Sequence, residues 1–169
     1  MGIGNTTTSS AVLCALTGAA VADVTGRGGG VNDEGFRRKK QVIAAALEKH
    51  RPNAADPVDV LQKVGGFDLC AMCGVFLGCA KNRMPVVIDG FISVVAALCA
   101  ARLCGAARDY FFASHESYEI GYQLAVKELG LEPWLLLGMR LGEGSGCTVA
   151  FRVMDAACAV INEMATFAE

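Results

Sequence analysis

The feature that most constrains this chain is a pair of predicted strands separated by an apolar, helix-length segment. Residues 85–88 form a continuous β-branched run, which is typical of a parallel strand covered on both faces. Residues 109–113 predict a second strand, and residues 91–103, rich in Ala and Val, predict a helix between the two. This order predicts an α/β fold, a Rossmann-like parallel sheet with flanking helices and right-handed crossovers.

Helices are predicted along most of the remaining chain. Gly18 and Gly130 follow two of them and are expected to end them, since glycine readily adopts the left-handed conformation of a helix C-terminus. The glycines within residues 19–33 predict a flexible loop. The predicted helical segments are residues 5–17, 34–50, 58–64, 67–81, 118–129 and 147–167.

The composition is unusually poor in charge. Hydrophobic residues make up 53% of the chain and charged residues 19%, against about 25% charged in typical soluble domains. We therefore expect apolar surface that an oligomer, or a missing part of the protein, would cover. A net charge of −2 argues against general nucleic-acid binding, which requires a basic face.

The distribution of apolar residues also bears on location. The longest apolar stretch, residues 91–101, is shorter than the roughly 20 residues that a membrane-spanning helix needs. The chain does not begin with a charged-then-apolar signal peptide. We therefore expect no membrane partner and a cytoplasmic location.

The eight cysteines could indicate a metal site or buried thiols. Cys70 and Cys73 form a CxxC pair, but a zinc site needs a second ligand pair at short spacing, which His50 and His115 do not supply. The surrounding segment, residues 67–81, is apolar on nearly all sides and predicts a buried helix. We expect mostly buried free thiols, a reducing compartment and no metal.

A glycine- and hydroxyl-rich segment, residues 2–10, precedes an apolar helical segment. Such a loop presents free backbone N–H groups and the positive end of the helix dipole, which favours a phosphate. The candidate nucleotide-binding residues here are Gly2, Gly4, Asn5 and Thr6. Loops of this kind usually follow a buried strand, so we expect the chain to start in the middle of a nucleotide-binding α/β fold.

A basic run, residues 37–40, follows the glycine-rich loop. A lysine is a common point-charge partner of phosphate, and Lys39 is the candidate, with Lys40 adjacent to it. The alternative is a solvated helix face, and periodicity alone favours that alternative.

Polar residues follow both predicted strands, at the edge where parallel α/β sheets bind ligands. Asp89 would orient a sugar hydroxyl or hold a loop, and Gly90 would let a ligand approach the backbone. The segment 114–117 follows the second strand. His115 would serve as an acid or base or simply as a polar residue at a strand end, and we favour the second interpretation.

Glu143 stands among three glycines in the segment 140–146, Arg-Leu-Gly-Glu-Gly-Ser-Gly. Glycines leave the backbone open to close approach by another molecule, and apolar residues upstream would enclose the carboxylate and suit it to general-base catalysis. An acidic residue that caps the next helix is an equally good interpretation of this segment.

Taken in order, these segments resemble the nicotinate-nucleotide–dimethylbenzimidazole phosphoribosyltransferase family. The resemblance lies in the C-terminal half of the family's pattern, so the family's N-terminal half is absent. It implies that residues 1–146 are the C-terminal part of the α/β nucleotide-binding domain and that residues 147–169 are a helix of a small helical domain. The matching segments are residues 1–7, 59–66, 85–91, 113–115, 140–146 and 162–168.

The resemblance implies transfer of phosphoribose from nicotinate mononucleotide to 5,6-dimethylbenzimidazole, with Glu143 as the general base. The products would be α-ribazole 5'-phosphate and nicotinate, and the pathway would be cobalamin lower-ligand synthesis. A homodimer with neither cofactor nor metal is implied. The alternative is a truncated, non-catalytic nucleotide-binding module, or a fragment that needs a partner chain. By resemblance, the phosphate site takes Gly2, Lys39 and Gly90, and the base pocket takes Ser117, Leu141 and Gly142.

Overall fold

The structure is a computed structural model, and it describes residues 3–167. Helices predominate, and two short strands lie in the second half of the chain. In the first half the elements are α1 (Thr6–Thr17), α2 (Val21–Val24), α3 (Asp33–His50), α4 (Pro57–Val64) and α5 (Phe67–Lys81). They are followed by β1 (Val86–Ile88), α6 (Phe91–Leu103), a 3-10 helix (Gly105–Tyr110), β2 (Phe111–Ala113), α7 (Ile120–Leu129) and α8 (Ser145–Glu163).

The two strands form a parallel pair, which confirms the predicted strand–helix–strand unit. Val86 pairs with Phe111 and Ile88 with Ala113, while α6 makes the crossover between the strands. An isolated parallel bridge joins His115 to Leu135 just beyond the end of β2. Within residues 3–167 the sheet has two strands, too few to establish a Rossmann-like sheet.

Helix α6 forms the centre of the core. Its sequence is apolar on all sides, and every residue from Val94 to Ala100 is buried. Helices α5 and α7 pack against it, and α1 also contacts it. A helix that is apolar all round must be enclosed on all sides, and this enclosure fixes β1 and β2 next to it.

Most predicted helix ends agree with the structure. Gly18 and Gly130 have φ angles of 72° and 62° and end α1 and α7. Asp56 caps α4, with Pro57 as its first residue, as in many helix N-termini.

Several boundaries differ from the prediction, including the starts of α7 at Ile120 and α8 at Ser145, which were predicted at residues 118 and 147. The segment predicted as a loop contains α2, because Val24 is buried against the core. The first two residues of the predicted second strand belong to the 3-10 helix, since β2 begins at Phe111. The last helix ends at Glu163, where Met164 turns to an extended conformation with φ of −76° and ψ of 130°.

The prediction that residues 67–81 form a buried helix was wrong on burial. In α5, Leu69, Cys73 and Phe76 are buried, whereas Phe67 is 96% exposed and Val75 is also exposed. Only one stripe of this helix meets the core, because an apolar sequence does not specify which side has a neighbour.

The cysteines are all free, but the prediction that they are mostly buried was wrong. Burial raises the pKa of Cys73 to about 11 and that of Cys99 to about 12, so both remain protonated thiols at neutral pH. Cys14, Cys73 and Cys99 are buried, Cys79 and Cys147 are partly buried, and Cys70, Cys104 and Cys158 are exposed.

Helix α8 lies largely outside the core. Only Gly146 and Ala150, near its beginning, are buried, and the helix contacts the rest of the protein mainly through β1. Val149, Val153 and Val160 recur at helical spacing along one face and are 37%, 43% and 53% exposed. This helix therefore presents an apolar face that the described residues do not cover.

Candidate functional site

The predicted phosphate loop leads directly into α1. Gly4 has a φ of 85°, a left-handed conformation that glycine adopts without strain, and Asn5 is the residue before the helix. The Asn5 side-chain amide donates to a carboxylate oxygen of Asp68, with an Nδ2–Oδ2 distance of 2.7 Å. This hydrogen bond therefore holds the loop before α1 against α5. Gly2, which was also predicted here, lies outside the described residues.

Lys39 reaches from α3 to this loop. Its ammonium group donates to the Thr6 hydroxyl and to the Gly26 carbonyl oxygen, both at 2.8 Å. Burial lowers the pKa of Lys39, and the negative charge of Glu119 opposes that shift. The solvated-face interpretation therefore does not fit Lys39. Lys40 instead lies over the Phe36 ring, with Nζ 4.2 Å from its centroid.

Two glycines of the loop before α3 make room for this contact. A Cβ atom at Gly28 would lie 2.6 Å from the Thr6 hydroxyl oxygen, and one at Gly26 would lie 2.1 Å from a carboxylate oxygen of Glu119. Both distances are shorter than real Cβ contacts. A larger residue at either position would therefore displace the Thr6 or Glu119 side chain, and Gly28 also has the left-handed φ of 57° that favours glycine.

A second polar cluster forms at the carboxyl ends of the strands. The Asp89 carboxylate accepts the backbone N–H of Gly144 at 3.1 Å and that of Gly146 at 2.9 Å, one on each oxygen. Asp89 was predicted to orient a sugar hydroxyl or to hold a loop, and these two hydrogen bonds match the second role. His115 lies beside it, with Nδ1 3.7 Å from an Asp89 oxygen.

His115, just beyond the end of β2, is buried, being 1% exposed. The Ser114 hydroxyl lies 3.0 Å from Nδ1 of His115 and donates to the Ile88 carbonyl oxygen at 2.7 Å. Because the Ser114 hydroxyl donates its hydrogen to the Ile88 carbonyl oxygen, it accepts the hydrogen bond that it makes with His115. That bond requires a hydrogen on Nδ1 of His115.

Tyr122 is a buried neighbour of this cluster that the sequence did not indicate. Burial raises its pKa to about 12, with further contributions from the charges of Glu116 and Asp89. Within the described residues its hydroxyl has no hydrogen-bond partner. Tyr122 lies on α7 and is fully buried.

Glu143 lies at the tip of the loop that Asp89 holds. Its φ is 58°, and Gly142 and Gly144 on either side both have φ of 75°. The Glu143 side chain is exposed, and Leu141 is 75% exposed. The expected apolar enclosure of Glu143 is therefore wrong for the part of the protein that the structure describes. Its carboxylate has no hydrogen bond to any residue from 3 to 167.

A cavity of about 390 Å³ lies beside these clusters. Ser117, predicted as a base-pocket residue, lines it, and Leu141 and Gly142 do not. Glu116 and Glu119 also line the cavity, and sequence analysis missed both, although they flank Ser117 in the chain. Apolar surface comes from Ile120, Leu136 and Met139.

Two residues that line the cavity, Glu119 and Ser117, lie near glycines of the two polar regions. Glu119 meets the glycine loop that holds Lys39, as its closeness to Gly26 indicates. Ser117 lies next to Gly90, since a Cβ atom there would be 3.5 Å from its hydroxyl oxygen. The structure thus brings the Lys39 region, the strand ends and an open, partly apolar cavity together around residues 116–120.

Among residues 3–167, no three His, Cys, Asp or Glu side chains lie close enough together to hold a metal ion. The helices of that same part of the chain are too short or too polar to cross a membrane.

The described residues thus form an α/β protein in which a lysine is held on a glycine-containing loop and an open cavity lies near the carboxyl ends of two parallel strands. A family model described as phosphoribosyltransferase matches residues 1–169, so the chain belongs to that family. Its curated relatives identify the family as that of the nicotinate-nucleotide–dimethylbenzimidazole phosphoribosyltransferases, as the sequence resemblance predicted. The proteins of this family are named as transferases, which confirms the predicted enzyme class.

Individual relatives show how much of the protein this chain represents. A Clostridium perfringens protein named nicotinate-nucleotide–dimethylbenzimidazole phosphoribosyltransferase is 59% identical over all of this chain and 47% of its own length. A Geobacter metallireducens protein of the same name is 50% identical, with 48% of its length covered. The chain spans about half the length of the curated relatives it matches.

A solved structure supports the fold. The crystal structure of CobT from Thermus thermophilus superimposes with a TM-score of 0.92 at 41% sequence identity. The match covers 98% of this chain and 49% of that one. The predicted α/β class is thereby confirmed.

Proposed function

We propose that this chain carries the nucleotide site and general base of an enzyme that transfers phosphoribose from nicotinate mononucleotide to 5,6-dimethylbenzimidazole. The products are α-ribazole 5'-phosphate and nicotinate. The observation that carries the proposal is Lys39, held on Thr6 and Gly26 beside a cavity at the strand ends. Family membership supplies the reaction class.

The phosphate is proposed to bind between the loop before α1 and Lys39. Two of the three N–H groups of the Lys39 ammonium are used by the protein, so one remains for an anion. The N-terminus of α1 adds free backbone N–H groups and a favourable dipole. Gly2, Gly4 and Gly90 are proposed to let the nucleotide approach the backbone closely.

The base is proposed to occupy the cavity that Ser117 lines. Ile120, Leu136 and Met139 offer apolar surface for a flat aromatic ring, and Ser117 offers one hydroxyl. Leu141 and Gly142 belong to the Glu143 loop and are proposed to close over the ring when both ligands are bound. The exposure of Leu141 leaves that surface free to do so.

The reaction proposed for Glu143 is a single displacement. One benzimidazole nitrogen forms a bond to the anomeric carbon, and the bond from that carbon to the pyridinium nitrogen breaks with its electron pair going to nicotinate. Glu143 accepts the proton from the other benzimidazole nitrogen, and inversion gives the α-riboside. A placed general base contributes about 10²–10⁴-fold, and alignment of the two ligands contributes further.

The remaining features of the proposal concern the whole protein. We propose a cytoplasmic homodimer that needs neither cofactor nor metal, and the exposed apolar face of α8 supports an association of this kind. A second candidate is a fragment or binding module that lacks activity alone. It is favoured by the exposed Glu143 and by the coverage of only about half of each relative.

The test is product formation by the 169-residue chain and by a chimeric enzyme. In the chimera these residues replace the matching segment of the Clostridium perfringens relative that is 59% identical. We expect α-ribazole 5'-phosphate from the chimera and little or none from the chain alone. Product from the chain alone would mean that the rest of the relatives' length is dispensable.

Glu143→Gln in the chimera tests the base assignment. We expect kcat to fall by about 10²–10⁴-fold with little change in the Kd of nicotinate mononucleotide, because glutamine cannot accept the proton. Retained turnover would contradict the assignment. A folded chimera that binds the nucleotide and forms no product even with Glu143 intact would favour the binding-module candidate.

A further inference from the structure

We propose that Asp89 is a positioning residue, which holds the Glu143 loop in its reactive conformation through two backbone hydrogen bonds. The proposal rests on the proposed role of Glu143 as the base. It assigns Asp89 to the protein's own loop instead of the nucleotide, with which the sequence grouped it.

The contacts of Asp89 lie immediately after Glu143 in the chain. Its Oδ2 accepts from Gly144, the next residue after Glu143, and its Oδ1 accepts from Gly146 in the first turn of α8. These donors lie at a helix N-terminus, where backbone N–H groups have no intrahelical acceptor. A carboxylate at this end of a helix is also favoured by the helix dipole.

The backbone conformation of the Glu143 loop needs stabilising contacts. Gly142, Glu143 and Gly144 are all left-handed, with φ of 75°, 58° and 75°. Glutamate disfavours this conformation because its Cβ atom crowds the backbone. Within the described residues, the Glu143 side chain makes no hydrogen bond that would compensate.

Asp89 is itself fixed in place. It directly follows β1, it lies beside the buried His115, and it is mostly shielded, its side chain being 14% exposed. Gly146 packs so closely that a Cβ atom there would lie 2.0 Å from His115 Nδ1 and 2.8 Å from Asp89 Oδ1. The sheet end, Asp89 and the start of α8 therefore form one rigid support for Glu143.

Both carboxylate oxygens of Asp89 already accept a backbone N–H. A sugar hydroxyl would have to compete with these contacts. If Asp89 bound the nucleotide, its substitution would be expected to change KM. If Asp89 supports the base, its substitution changes kcat.

The test begins with amide hydrogen exchange in the unmodified 169-residue chain. The Gly146 N–H has no acceptor within α8, so its protection from exchange depends on Asp89. We expect clear protection of Gly144 and Gly146 in the wild type and loss of protection at one or both of them in Asp89→Asn, since one asparagine oxygen cannot replace two acceptors. Exchange of the wild-type Gly146 N–H at the rate of an unprotected amide would overturn the proposal.

Kinetics of the chimeric enzyme then separate the roles. We expect Asp89→Asn to lower kcat by about 10–100-fold, as for a misplaced catalytic group, with an unchanged KM for nicotinate mononucleotide. In a Glu143→Gln background the same substitution should cause little further loss, because Asp89 acts through Glu143. A rise in KM at constant kcat, or an equal loss in both backgrounds, would overturn the proposal.

The matched control is Asp56→Asn. Asp56 also accepts two backbone N–H groups at a helix N-terminus, those of Val58 and Asp59 at the start of α4, remote from the site. We expect kcat to be unchanged in this variant. If Glu143→Gln does not reduce turnover, the assignment of Glu143 as the base fails, while the exchange result for Gly144 and Gly146 still decides whether Asp89 holds the loop.

Discussion

At the scale of the residue, this protein uses charged side chains to hold its own backbone in position. Lys39 binds Thr6 and Gly26, and Asp89 binds Gly144 and Gly146. Each group is desolvated in part and keeps a specific geometry, which a freely solvated side chain would not. Both lie where a ligand of opposite or polar character would meet them.

Removal of the Lys39 ammonium should weaken nucleotide binding. We expect Lys39→Ala to raise the Kd of nicotinate mononucleotide by about 10–100-fold, the effect of losing one charge-assisted hydrogen bond. Lys40→Ala is the control, since Lys40 lies on the Phe36 ring. Isothermal titration calorimetry with the chimeric enzyme measures both, and equal effects of the two variants would contradict the assignment.

The lowered pKa of Lys39 also predicts the direction of a pH effect. Burial favours the neutral amine, so Lys39 loses its proton at a lower pH than an ordinary lysine. Because phosphate binding needs the ammonium, affinity should be complete below the lowered pKa and should decline as pH rises through it. The decline should be absent in Lys39→Ala, as titrations over alkaline pH can show.

At the scale of the element, two glycines in helices have opposite roles. Gly146 begins α8 against His115, whereas Gly74 in α5 has no atom within 4 Å of the position that a Cβ would take. Only at Gly146 does packing require a glycine. Gly74 carries the ordinary conformational disadvantage of glycine in a helix.

Alanine substitutions should therefore change stability in opposite directions. We expect Gly146→Ala to destabilise the fold by about 1–3 kcal/mol, since its Cβ would overlap a buried ring. Gly74→Ala should stabilise it by about 0.5–1 kcal/mol through the lower entropy of the unfolded chain. Urea denaturation of the 169-residue chain measures both, and a neutral Gly146→Ala would contradict the packing described.

At the scale of the whole molecule, the apolar surplus of the composition has a location. Helices α1, α5, α6 and α7 pack around one core, while α8 leaves Val149, Val153 and Val160 partly exposed along one face. The chain also spans about half the length of its curated relatives. A face of this kind is expected to associate with other apolar surface.

Charges placed on that face should reduce self-association. We expect the isolated chain to form concentration-dependent oligomers, and Val153→Glu with Val160→Glu to shift it toward monomer without loss of helical content. Arg152→Glu is the control, because Arg152 is highly exposed and apolar surface is retained. Light scattering after size exclusion measures the mass, and an equal shift in the control would point to net charge as the cause.

The sequence predicted the order and nature of the elements well, because these depend on near neighbours. The periodicity of α6, the glycines that end α1 and α7, and the short apolar runs of β1 and β2 are all local patterns. The family was indicated by short motifs that match in order along the whole chain, from residues 1–7 to residues 162–168.

What the sequence could not determine is which distant groups meet. Asp89 finds its partners 55 and 57 residues away, and Lys39 reaches Thr6 across 33 residues, whereas its neighbour Lys40 does not. The exposed side of α5 and the exposure of Glu143 likewise depend on what packs nearby. The sequence by itself determined the helices, the strands and the family, since local pattern and motif carry them. Only the tertiary structure decided the partners and burial of each side chain, because those follow from how the elements pack.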